Sequence, residues 1–155
     1  MNDNIKFAQA ETCLLMEPQH SNILGNVHGG ELMKLMDNTA GIAAAKQAKG
    51  MVVTARVDEI DFHETVKIGD IVTAKAQVCY VGKSSIQVQV IVMVEDIHEE
   101  QEPLKALSAF FTMVHLKDGK PSQVQPLIVS NEEEEALFEL GKKKYLEIQA
   151  KRLNK

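Results

Sequence analysis

Apolar and polar positions follow two different rhythms along this chain. Residues 8–17 contain the run TCLLM and predict a short strand, ended by Pro18. A polar, glycine-containing loop, QHSNILGN, follows. After Gly29-Gly30, in ELMKLMDNTAGIAAAKQA, the period lengthens. Leu32, Met36, Ala40 and Ala43 fall on one face at about 100° per residue. This predicts a helix of about five turns, stopped at Gly50. The period then returns to two. MVVTARVDEIDFHETV is rich in β-branched residues, and Val53, Ala55, Val57 and Glu59 alternate with Thr54, Arg56, Asp58 and Ile60. The turn KIGD leads to the strand IVTAKAQVCYV, and the turn GKSS leads to IQVQVIVMVED. PLKALSAFFTMVHL is the next strand, closed by KDGKP with its Asp118-Gly119 turn signal.

The tail from Ser130 opens with a cap and four acids, SNEEEE, and ends in KKKYLEIQAKR. Acids at the start and bases at the end suit the helix dipole. A terminal helix is expected, with Phe138, Tyr145 and Ile148 on one side and the EEEE and KKK runs as solvated faces. The order is strand, long helix, four strands, helix. Four strands on short turns predict an antiparallel meander, hence an α+β fold. There is no internal repeat, and 155 residues suit one domain.

Composition narrows the function. Hydrophobic residues make up 45% of the chain, enough for a packed core. The net charge of −5 argues against a general nucleic-acid binder. Cys13 and Cys79 stand apart, with neither disulfide-framework nor zinc-finger spacing, and read as small core residues of a reducing compartment. The first residues show no basic start leading into an apolar run, and no apolar stretch is long enough to span a bilayer, so a soluble cytoplasmic protein is expected.

Several familiar chemistries are missing. Gly82-Lys83-Ser84 resembles the end of a phosphate loop, but Gln77 stands where that motif needs glycine, and the turn joins two strands. No G-x-S-x-G occurs, and the five histidines form no H-E-x-x-H pair. Asp37 is different. It projects at the edge of the apolar helix face, beside Met33 and Ala44. It is either a boundary acid on a half-exposed helix or a carboxylate held beside an apolar groove, where partial desolvation would make it a better base. His28-Gly29-Gly30 opens the same helix, whose first amides lack intrahelical partners. Such donors can stabilise a developing oxyanion. Asn22, in the preceding loop, either makes a turn or orients a carbonyl or water.

The stretch NILGNVHGGELMKLMDNTAGIAAAK, with VVTARVDEIDFHETVKIGD, YVGKSSIQVQVIV and ALSAFFTMVHL, closely resembles cytosolic acyl-CoA thioesterases of the hotdog superfamily. The resemblance covers about residues 8–150. It implies a five-stranded antiparallel sheet wrapped around the long helix, taken as a hotdog domain over 1–130 with a charged C-terminal helix over 131–155. It also implies hydrolysis of fatty acyl-CoA to a free fatty acid and CoA. Asn22 and Asp37 match the family's catalytic pair, which comes from opposite subunits of a dimer. Asp37 would act as general base or as nucleophile, and amides near Gly29 and Gly30 would polarise the thioester carbonyl.

Substrate contacts are expected from Thr54 and Arg56 in one groove, from the turn Gly82, Lys83, Ser84 and Ser85, and from tail bases including Lys142, Lys143, Lys144, Lys151 and Arg152. No metal or cofactor is expected, CoA being part of substrate and product. Self-association as a dimer, and as a trimer of dimers, is implied, with no nucleic-acid or membrane partner. The competing readings are a hydratase or dehydratase built around His28, and a non-catalytic acyl-CoA binding or sensing module.

Overall fold

The computed structural model describes residues 2–155. Strand β1 (Gln9–Leu15) precedes helix α1 (Gly29–Ala48). Then come β2 (Met51–Phe62), β3 (Ile71–Val81), β4 (Ser85–Glu95), β5 (Leu104–Lys117), the two-residue β6 (Lys120–Pro121) and α2 (Glu132–Leu153). Every pairing is antiparallel, in the order β1-β3-β4-β5-β2. The five expected strands form, and β6 adds a short return against β5.

The expected meander is only partly right. β3, β4 and β5 follow one another, but β2 lies on the far edge against β5, and β3 pairs with β1 instead. Residues 63–70 are a crossing connection rather than a hairpin. Val66 is buried there, its carbonyl accepts from Val27 N–H at 2.9 Å, and Asp70 O accepts from Met16 N–H at 2.8 Å. Turn signals mark where strands end and do not name the next neighbour.

The inner sheet face is the apolar set Ile86, Val88, Val90 and Val92 with Leu107, Ala109, Phe111 and Met113. It wraps α1, whose Leu32, Met36, Ala40, Ala43 and Ala44 are buried. The alanines keep the helix thin where the sheet curves round it. At the far end of α1 the left-handed residue is Lys49, at φ +55°, one position before the glycine expected to stop it.

Helix α2 covers the outer face. Phe138 and Tyr145 flank the Tyr80 ring at 5.1 and 5.2 Å between centroids, and Ile148 is buried, as the tail pattern predicts. Gly141 rests directly on β3: a Cβ there would lie 2.7 Å from the Cβ atoms of Cys79 and Tyr80. The charged runs are not wholly solvated. Asn131, not Ser130, caps the helix by accepting from Glu134 N–H. Glu134 is itself buried and accepts from Lys6 N–H, Ser130 N–H and the Ser130 hydroxyl at 2.7–2.8 Å. These donors hold its carboxyl below the usual range. Lys144 is buried too. Glu134, Gly141, Lys144 and Ile148 recur at helical spacing, so packing α2 flat on a sheet turns each of them inward whatever its charge. Among the described residues, no helix is long and apolar enough to cross a membrane.

Candidate active site

The loop before α1 is built around Asn22. Its side-chain Oδ1 accepts from Leu24 N–H at 2.9 Å and Asn26 N–H at 3.2 Å, and its own N–H donates to Asn26 O at 2.8 Å. A backbone N–H can only donate, so the amide orientation is determined: Oδ1 faces the loop and Nδ2 faces away. Nδ2 has no protein partner among the described residues. The turn reading of Asn22 is met by its oxygen. Its Nδ2 is left as an uncommitted donor.

The helix entrance separates its two glycines. The His28 side chain accepts from Gly30 N–H through Nδ1 at 2.9 Å, so the Gly30 amide is capped. The Gly29 amide has no protein partner among the described residues. Of the two glycine amides expected to face a ligand, Gly29 N–H is the unpaired one among the described residues, and Gly30 N–H is engaged by His28. An Nδ1 that accepts leaves the ring proton on Nε2. Gly29 packs on Phe62, whose ring would lie 3.2 Å from a Cβ at that position. Asn22, Gly29, Leu32, Phe62 and Val66 line one cavity of about 330 Å3.

Asp37 is half-buried in the middle of α1 and accepts a hydrogen bond from the Thr54 hydroxyl on β2. It opens onto a second cavity of about 360 Å3, lined by Gly41, Ile42, Met51, Val52, Thr54 and Met113. An acid bonded to one hydroxyl beside apolar walls is oriented through one oxygen, and its other oxygen has no protein partner among the described residues. Asn22 and Asp37 do not meet within the chain. Asp37 sits eight residues after Gly29, about 12 Å along the helix axis.

Thr54 and Arg56 do not share a groove. A bulge at Ala55 sets Thr54 opposite Met113 and Arg56 opposite Thr112, which are successive residues of β5 and face opposite ways. Thr54 points inward to α1. Arg56 points outward, where Nε donates to both oxygens of Asp58 at 2.8–2.9 Å. Simple alternation cannot reveal this inserted residue.

On the outer face, the turn Gly82-Lys83-Ser84-Ser85 meets α2 around a cavity of about 130 Å3, whose walls include Lys83, Ser84, Ser85, Tyr145 and Arg152. Of the tail bases, Arg152 reaches this turn, whereas the exposed Lys142 and Lys143 do not line it. Lys144 is committed elsewhere, donating to Glu59 on β2 and to Glu147 at 3.1 Å. Burial pulls its pKa down, but the bonds to the two carboxylates outweigh this and hold it above the lysine range. Sequence reasoning missed Gln87, which also lines the cavity. Its Oε1 accepts from the Thr112 hydroxyl at 3.1 Å, while its buried Nε2 is unpaired. The QVQV alternation makes it one of two glutamines on the same strand face, Gln87 and Gln89, with nothing to single it out.

The remaining candidates are quiet. Burial pushes the Cys79 thiol up to about 12, which leaves no thiolate near neutral pH. Cys13 is exposed on β1 rather than in the core. Among the described residues, no three His, Cys, Asp or Glu side chains gather as a metal site would require.

The Thioesterase superfamily profile matches residues 24–101. A mouse protein named cytosolic acyl coenzyme A thioester hydrolase is 38% identical over 152 residues, 97% of this chain and 40% of that protein. The chain thus spans well under half the length of that curated relative. Among solved structures, an acyl-CoA hydrolase from Staphylococcus aureus, in complex with butyryl coenzyme A, coenzyme A and coenzyme A disulfide, superposes with a TM-score of 0.85 at 30% identity, covering 96% of this chain and 90% of that one. The same enzyme has been solved with an asparagine, an aspartate or a threonine changed to alanine, the three residue types singled out here as Asn22, Asp37 and Thr54. A hexameric thioesterase from Yersinia pestis superposes with a TM-score of 0.70 at 35% identity, covering 75% of this chain and 94% of that one.

Proposed function

This chain belongs to the thioesterase superfamily, and on that premise we propose that it hydrolyses fatty acyl-CoA to a free fatty acid and CoA. The reading rests on one observation: two half-sites with matching chemistry in one chain. One offers two unpaired donors, Gly29 N–H and Asn22 Nδ2. The other offers an oriented carboxylate, Asp37 held by Thr54. Each half-site needs the other, and a second copy of the chain supplies it.

In the proposed reaction the thioester carbonyl oxygen faces Gly29 N–H. Asp37 of one chain either takes a proton from water as the water adds to the carbonyl carbon, or attacks that carbon itself to form a mixed anhydride that water then opens. Negative charge builds on the former carbonyl oxygen, where Gly29 stabilises it; losing one such donor costs about 100- to 1000-fold in rate. Asn22 Nδ2 of the other chain holds the carbonyl or water oxygen. The C–S bond breaks, CoA leaves as its thiolate and takes up a proton, and the acid is released. A thiolate is a good leaving group, so no strong general acid is called for, and the reaction draws on no cofactor. Lys83, Arg152 and Gln87, with Ser84 and Ser85, are assigned to the nucleotide end of CoA, the cations as charge-assisted donors.

β2 supports the dimer. It is a twelve-residue edge strand carrying exposed Met51, Val53, Val57 and Phe62, with Met51 and Phe62 at 76% and 57%. An edge this long and apolar is a template for another strand. Pairing with the β2 of a second copy would cover it and join the two half-sites, and three such dimers would form a hexamer. The assembly is assigned to the cytoplasm, in keeping with the mouse relative's name.

Free-thiol release from short-, medium- and long-chain acyl-CoAs tests the reading. Turnover that falls about 100-fold or more in Asp37→Asn, with fold and assembly intact, is expected. No turnover across the panel, together with thermal stabilisation by acyl-CoA, would replace the enzyme with a binding module.

A further inference from the structure

The outer face of β2 carries charged groups that the proposed reaction does not use. Lys144 of α2, 8% exposed, donates to Glu59 and Glu147 and lies 5.5 Å from the centre of the Phe110 ring. Glu59 has φ +54°, the left-handed region that a glutamate seldom adopts. It sits in a second bulge of β2: Asp58 pairs with Phe110 and Asp61 with Ser108, so Glu59 and Ile60 together face one residue of β5.

This bulge has a consequence for the site. Asp58 points outward with Phe110. Under simple alternation, Phe62, four residues on, would also point outward. The inserted residue reverses the faces: Ile60 packs on the core and Phe62 pairs with Leu107 on the inner side. Only from there can its ring support Gly29, the residue with the free amide. The ion pair from α2 is therefore attached to the strand position that decides which way Phe62 faces.

We infer that Lys144 is a positioning residue: through Glu59 it holds the left-handed bulge of β2 that keeps Phe62 beneath Gly29. The inference rests on the thioesterase reading for its kinetic consequence but not for its structural one. Both carboxylates are about half exposed, with side chains 58% and 42% accessible, so replacing Lys144 by an apolar residue leaves solvated acids rather than a stranded buried charge.

The test uses Lys144→Met in two backgrounds, the natural chain and Glu59→Gly. Glycine adopts the left-handed region without strain, so the bulge in that background needs no clamp. In the natural chain, Lys144→Met is expected to lower kcat about tenfold, with KM changed less than about twofold, and to speed amide hydrogen exchange across 57–63. In the Glu59→Gly background the same change should leave kcat and exchange within about twofold, and Lys144→Arg should retain most of the natural activity. Equal losses in both backgrounds, or unchanged exchange across 57–63 in the natural chain, would overturn the role. If the natural chain hydrolyses no acyl-CoA, the exchange measurement still decides the clamp, so the two readings fail separately.

Discussion

The Thr54 hydroxyl donates to the Asp37 carboxylate and ties the edge strand β2 to the middle of α1. The bond turns an acid at the margin of an apolar helix face into one with a defined orientation. Thr54→Val keeps the shape and removes the donor. It is expected to lower kcat about tenfold while the assembly stays intact. Steady-state kinetics beside light scattering would check this, and an unchanged kcat would show that Asp37 needs no such partner.

If each site takes Asn22 from one chain and Asp37 from the other, two inactive variants should complement. Asn22→Ala mixed with Asp37→Ala, unfolded and refolded together, gives hybrid dimers with one intact site each. Recovery of about a quarter of the natural activity per chain is expected from random pairing. Sites confined to one chain would recover nothing.

Single turnover in water enriched in oxygen-18, with enzyme in excess, separates the two roles of Asp37. A nucleophilic carboxylate acquires the label when its anhydride is opened at the Asp37 carbonyl; a general base never does. Mass spectrometry of the peptide carrying Asp37 reads the result.

Glu134 ties the N-terminal segment to α2 through bonds from Lys6 and Ser130. Its carboxyl is held below the ordinary glutamate range, so the folded state favours the ionised form. The resulting stability is fully present above the unfolded pKa, about 4.3, and is lost as pH falls through the lower folded value. The Tm difference between the natural chain and Glu134→Gln should therefore be large at pH 7 and shrink below about pH 4. A difference independent of pH would place the effect in shape rather than charge.

Gly141 is the close-approach point of α2 on β3. Gly141→Val forces its side chain against Cys79 and Tyr80 and should cost about 1–3 kcal/mol in urea unfolding, with α2 loosened first. A stability equal to that of the natural chain would mean α2 can lift without cost.

Much of this was legible in the chain. The change of period at Gly29 and again at Met51 located α1 and the strands because burial on one face imposes a repeat that sequence retains. His28-Gly29-Gly30 marked a helix entrance because the first turn of a helix has amides without intrahelical partners, although the structure then caps Gly30 with the His28 side chain. What the period cannot carry is an inserted residue. Ala55 and the Glu59-Ile60 pair look like ordinary alternation, yet they send Arg56 away from Thr54 and bring Phe62 inward. Charge misled in α2 for a related reason. A run of acids or lysines reads as solvated, but a helix lying on a sheet buries one residue per turn, and Glu134 and Lys144 found hydrogen-bond partners there.

By itself, the sequence determined the elements, the apolar faces and the residue types available for chemistry, since these follow from local propensity and one-dimensional pattern. The tertiary structure decided which strand β2 joins, which of the two glycine amides stays free, and that Asn22 and Asp37 open onto different cavities of one chain. Those depend on contacts between residues far apart in sequence, where packing and hydrogen-bond satisfaction choose among arrangements that the linear pattern leaves equal.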